Sequence, residues 1–93
     1  MILKDAVRDL KLLDQDGIIF AIEPWTENSL VMIESVPETD DLTTTEAVKR
    51  GFKYFLEVWI AEEFLREWKE NLGAEPSPKQ QCARLIQYAI RDA

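Results

Sequence analysis

Apolar residues recur along this chain in two different periods, and the way the periods alternate predicts a small α+β domain. Leu3, Ala6, Val7, Leu10 and Leu13 fall at helical spacing, with Lys4, Asp5, Arg8, Asp9 and Lys11 between them. That pattern predicts an amphipathic helix over about 2–14. Asp16-Gly17 follows as a turn or helix stop. Two β-rich runs, IIFAI and LVMI, predict strands over about 18–22 and 30–35. Between them Pro24 forbids strand continuation and Asn28-Ser29 favours a turn, so the two strands read as an antiparallel hairpin with a long loop.

Thr43 and Glu46 have the spacing of a capping box and predict a short helix over about 44–50, with Lys49 and Arg50 suited to its C-terminus and Gly51 to its stop. The run that follows, GFKYFLEVWIA, is the densest apolar and aromatic stretch of the chain. As a helix it would place Tyr54, Val58, Ala61, Leu65, Trp68 and Leu72 on one face. As a strand it would place Phe52, Tyr54, Leu56, Val58 and Ile60 on one face and Phe55 and Trp59 on the other. The concentration of aromatic and β-branched residues selects a strand over about 52–60, and its two apolar faces predict a central or well-covered position, not an exposed edge. A helix over about 61–72 then carries Phe64, Leu65, Trp68 and Leu72, ended by Asn71 and Gly73. Ser77, Pro78 and Gln80 are a complete helix-start signal: N-cap, proline at the first helical position and a closing glutamine. The last helix, over about 78–92, buries Cys82, Leu85, Ile86, Ala89 and Ile90. The expected fold is thus one α+β domain over 1–93, with a three-stranded, mainly antiparallel sheet and four helices.

Composition supports a folded chain, at 46% hydrophobic and 31% charged residues, and charge adds something the pattern does not. The net charge is −7, and it resides in one segment. From residue 12 to residue 48 there is no Lys or Arg, against nine acids: Asp14, Asp16, Glu23, Glu27, Glu34, Glu38, Asp40, Asp41 and Glu46. With 18 acids and 11 bases in all, the rest of the chain holds 9 acids and 11 bases and is slightly basic. Such a segment repels a phosphate backbone and attracts a basic protein, so nucleic acid is not an expected partner. No apolar run approaches the roughly 20 residues of a membrane span, and the charged N-terminus does not have the form of a signal peptide. The single cysteine fits a reducing compartment, and the expected location is the cytoplasm.

The residue inventory narrows the chemistry. There is no histidine, which removes Ser-His-Asp and Cys-His arrangements and imidazole metal sites. Cys82, on the apolar stripe of a helix, reads as an inert buried thiol. Glu38, Asp40 and Asp41 do not match a calcium-binding loop, and three glycines build no phosphate loop. Glu62, Glu63 and Glu67 sit at a helix start, where its dipole explains acids. Glu57, inside an apolar strand, must find an ion-pair partner or reach water, with Lys53 four residues earlier or a neighbouring Lys or Arg as the candidate. No catalytic residue, cofactor or metal ligand is expected.

Pro24-Trp25-Thr26 after the first strand, the acidic loop, a short helix ending at Gly51, and Tyr54-Phe55-Leu56-Glu57-Val58 as a strand form a pattern. It resembles that of small, largely uncharacterised bacterial domains similar to toxin-immunity proteins. The chain departs from that pattern in lacking an aromatic-rich, histidine-containing tail. The resemblance implies a protein that neutralises a toxin, and the acidic segment suits a basic one such as a nuclease. The expected partner-binding residues are Glu23, Trp25, Glu27, Glu38, Asp40 and Asp41. Trp25 has two readings: a ring folded over the hairpin end as a cap on the core, which is preferred, or an exposed interface anchor. The alternative function is a structural or regulatory domain, monomer or homodimer, that self-associates through its nine aromatic residues.

Overall fold

The computed structural model describes residues 1–92. Helix α1 (Leu3–Arg8) and a 3₁₀ turn (Leu10–Leu12) lead into strand β1 (Gly17–Ala21) and strand β2 (Val31–Ser35). A 3₁₀ turn (Leu42–Thr44) and helix α2 (Glu46–Lys49) precede strand β3 (Lys53–Glu57), and helices α3 (Val58–Leu72) and α4 (Pro78–Asp92) complete the fold. The strands form one antiparallel sheet in the order β2-β1-β3. The α+β class and its three-stranded sheet are as the sequence predicts.

The central strand is β1, not β3. All five residues of β1 are buried because each face of the strand meets a different core. Ile19 and Ala21 join Leu3, Ala6, Phe55, Val58, Leu65, Leu85 and others in the larger cluster under α1, α3 and α4. Ile18 and Phe20 point the opposite way, into a small cluster with Ala47, Met32, Leu42, Val48 and Phe52 under α2. Alternation of side chains along a strand makes this two-sided burial possible. β3 is an edge strand with exposed Lys53 and Tyr54.

The predicted strand over 52–60 stops at Glu57. Its register against β1 steps from Ile19↔Leu56 to Phe20↔Tyr54, so Phe55 is an extra residue, a β-bulge. The bulge lets neighbours Phe55 and Leu56 enter the same core, which a regular strand forbids. From Val58 onward helical spacing takes over: Val58, Ala61 and Leu65 are buried along one face of α3. Both periods that compete in this stretch are real, one on each side of Glu57, and core packing overrides the β propensity of Val58, Trp59 and Ile60.

Two other boundaries move for local reasons. The helix predicted to residue 14 ends at Arg8. Leu12 and Leu13 bond to Asp9 and Leu10 in 3₁₀ fashion, and the Gln15 side chain donates to the carbonyls of Leu10 (3.0 Å) and Leu13 (3.1 Å), so the chain end of this turn is capped by a side chain. The Thr43–Glu46 capping box does not form. Thr43 instead donates to Asp41 through both its N–H (3.0 Å) and its hydroxyl (2.6 Å). Thr45 is the N-cap of α2, accepting from the Val48 N–H at 3.3 Å. By contrast, the Ser77 capping box is complete: Gln80 N–H donates to Ser77 Oγ (3.1 Å) and Ser77 N–H to Gln80 Oε1 (2.9 Å). Gly51 and Gly73 both take positive φ (+89° and +70°), the left-handed stops expected of them.

Candidate functional site

The sheet register decides how the acidic segment is distributed. Ala21 pairs with Val31 at one end of the β1–β2 hairpin and Gly17 with Ser35 at the other. The loop 22–30, carrying Glu23, Trp25 and Glu27, therefore lies at one end of the sheet. The connector 36–41, carrying Glu38, Asp40 and Asp41, leaves from the opposite end. Five residues of strand, about 13 Å between first and last, separate the two groups. The six predicted partner-binding residues do not converge on one site.

In the loop 22–30, only Glu23 is freely exposed among the three. The indole of Trp25 packs edge-to-face on Phe55 (centroids 4.9 Å, 83°) and its Nε1–H donates to the Ala21 carbonyl at 3.2 Å. This is the core-cap arrangement preferred from the sequence. The loop is pinned to the start of α1: Leu3 N–H donates to Ser29 O (2.8 Å) and Lys4 N–H to Glu27 O (2.9 Å). Loop carbonyls thus satisfy two orphan donors of a helix whose N-cap, Ile2, has no side-chain acceptor to offer. Glu27 is half-buried, and its Oε2 is buried with no hydrogen-bond partner. Its charge reaches Cys82. Burial first, and the Glu27 carboxylate second, push the Cys82 thiol up to about 11.

At the opposite end, several acids serve the backbone. Glu34 Oε2 accepts from Ala47 N–H at 2.6 Å, tying β2 to the first turn of α2. Asp41 caps the 3₁₀ turn, and the hydroxyl and N–H of Thr43 hold its carboxyl below the ordinary value. Asp14 Oδ1 accepts from Asp16 N–H at 2.9 Å. Glu46 pairs with Arg50 at 2.9 Å. Glu38 and Asp40 remain exposed, Asp40 at φ +57°, with no carboxylate contact to a cation among the described residues. β3 also ends here, Glu57 pairing with Ile18, so this end gathers Asp14, Asp16, Glu38, Asp40, Asp41 and Glu57. Lys53, at the other end of β3, lies about 13 Å from Glu57 along the strand, and the predicted ion pair between them is absent among the described residues. The Glu57 charge instead adds to burial in raising the Tyr54 phenol.

Several concavities open on the surface of the described residues, and two of them include acids of α3. The larger, about 350 Å³, lies between α1 and α3 and includes Arg8, Asp9, Lys11, Glu62, Arg66, Lys69 and Glu70. Its charges largely cancel: Arg8 binds Asp9 (3.0 Å) and Arg66 binds Glu62 (3.2 Å). The smaller, about 270 Å³, lies where α3 meets α4 and is lined by Trp59, Ile60, Glu63, Phe64, Glu67 and Tyr88. Sequence reasoning missed this notch. Trp59, Glu63 and Glu67 stand four residues apart, a signal that is legible only if Trp59 is read as helical.

No group of three or more His, Cys, Asp or Glu is placed to hold a metal ion among the described residues. No helix among them is long and apolar enough to cross a membrane. No protein-family model, curated protein or solved structure matches this chain.

Proposed function

We propose that the chain is a non-catalytic binding protein whose acidic surface takes a basic protein partner, in its most specific form an immunity protein that neutralises a basic toxin such as a nuclease. The carrying observation is the base-free run of nine acids from residue 12 to residue 48. Its placement supports the reading. Asp14, Asp16, Glu38, Asp40 and Asp41 cluster at the sheet end from which the connector leaves, while Lys49, Arg50 and Lys53 lead into the opposite end of β3. A concentration of negative charge of this kind speeds capture of a cationic surface.

Self-association through surplus aromatics has less to work with. Of the nine aromatic residues only Tyr54 and Trp59, at 37% and 48%, are substantially exposed.

Co-purification with the product of the adjacent gene tests the binding reading. A complex at low salt that weakens as ionic strength rises supports it, and no complex at low salt overturns it. Within such a complex, Glu38→Gln with Asp40→Asn lowers the association rate by about threefold. An unchanged rate removes the connector as the steering surface.

A further inference from the structure

The notch at the α3–α4 junction combines three features that point to one kind of ligand. First, Trp59 is 48% exposed at the start of a well-formed helix, although Val58 beside it is fully buried. Second, Glu63 and Glu67 continue its row at intervals of four, one helical turn apart. Like charges at this spacing repel, and among the described residues neither has an ion-pair partner, whereas Glu62 on the same helix has Arg66. The dipole account expected of these acids does not hold, because α3 starts at Val58 and has no acid in its first turn, Glu63 and Glu67 lying in its second and third. Third, the inner wall is aromatic: Phe64 and Tyr88 stack at 4.1 Å and 19°. Phe64 also takes the chain's own Arg84 guanidinium, 5.0 Å from its ring centroid, from the neighbouring concavity of Trp68 and Leu72 and not from within the notch.

We propose that this notch is the specificity pocket for an arginine side chain of the basic partner, its guanidinium laid on the Trp59 ring and held by the carboxylates of Glu63 and Glu67. The chemistry matches on each count. A guanidinium is planar, stacks on aromatic faces and donates to carboxylates in a fork that a lysine ammonium cannot reproduce. The volume of about 270 Å³ is that of a side-chain pocket rather than of a whole cofactor. α3 begins directly after Glu57, at the sheet end where the exposed acids gather, so a partner drawn to that end meets Trp59 at once. This deepens the binding reading and rests on it for the basic character of the partner.

The test is a titration of the ¹⁵N-labelled protein with hexaarginine, read from the three indole N–H resonances and the backbone amides. The expected result is a saturable shift of the Trp59 indole and the amides of 63 and 67, with the Trp25 and Trp68 indoles little moved. Glu63→Gln with Glu67→Gln weakens binding at least fivefold, and Trp59→Ala likewise. Glu38→Gln with Asp40→Asn, an equal change of charge, weakens it twofold or less. Equal losses in the two charge-matched variants, or hexalysine binding as tightly as hexaarginine, overturn the arginine pocket. Shifts confined to residues 36–41 overturn the pocket and leave the acidic binding surface standing. No saturable shift anywhere overturns both.

Discussion

Glu34 Oε2 accepts the backbone N–H of Ala47 at 2.6 Å, a bond that spans thirteen residues and joins the edge strand β2 to helix α2. Ala47 lies in the first turn of α2, where the N–H has no intrahelical acceptor and the helix dipole favours a negative charge. One of the nine acids of the base-free run is therefore structural. Replacing it with alanine leaves a donor unsatisfied, so Glu34→Ala lowers stability by about 1–2 kcal/mol. Glu34→Gln keeps an acceptor and loses less. Urea unfolding of the two variants separates the contributions, and the small cluster of Ile18, Phe20 and Ala47 is the region that loosens first.

Trp25 holds the hairpin loop to the bulged residue Phe55 and to the Ala21 carbonyl. Trp25→Ala removes ring burial, the edge-to-face pair and the N–H bond, and costs about 2–3 kcal/mol. Trp25→Phe retains the ring contact and costs about 1 kcal/mol. Thermal unfolding ranks the two. If Trp25→Ala leaves stability unchanged, the indole is not the cap described here.

The reciprocal Ser77–Gln80 pair starts α4. Ser77→Ala removes the acceptor for the Gln80 N–H and lowers stability by about 1 kcal/mol, while Ser77→Gly, which restores backbone solvation, costs only a few tenths. Equilibrium unfolding measures both, and equal losses would exclude a capping role.

Cys82 is buried, with its thiol pushed up to about 11 by burial and the Glu27 charge. A raised folded pKa means that the unfolded thiol ionises first. Its stabilising contribution is complete below the ordinary value of 9.0 and is lost as pH rises toward about 11. Wild type loses stability across that window relative to Cys82→Ala, by on the order of 2 kcal/mol. The thiol stays unreactive to a water-soluble disulfide reagent at pH 7 until the protein unfolds. Prompt labelling of the native protein would contradict this placement.

Elements that depend on short-range chemistry are legible in the chain before it folds. The capping box at Ser77, the left-handed stops at Gly51 and Gly73, the hairpin strands and the buried stripe of α4 through Cys82, Leu85 and Ala89 follow from residues within a turn or two of one another. So does the segregation of charge. Ile90, predicted to join that stripe, is instead 62% exposed. Tertiary structure decided what depends on which surfaces meet. It made β1 the central strand, because only β1 has a core on each side. It divided 52–60 at Glu57, because a bulge at Phe55 and a helical face from Val58 bury more apolar surface than either period alone. It parted the predicted binding residues to opposite ends of the sheet, since register is a property of paired strands. And it set Trp59, Glu63 and Glu67 in one row beside Tyr88, a neighbour twenty-one residues beyond Glu67 that reaches Phe64 only through the packing of α4 on α3.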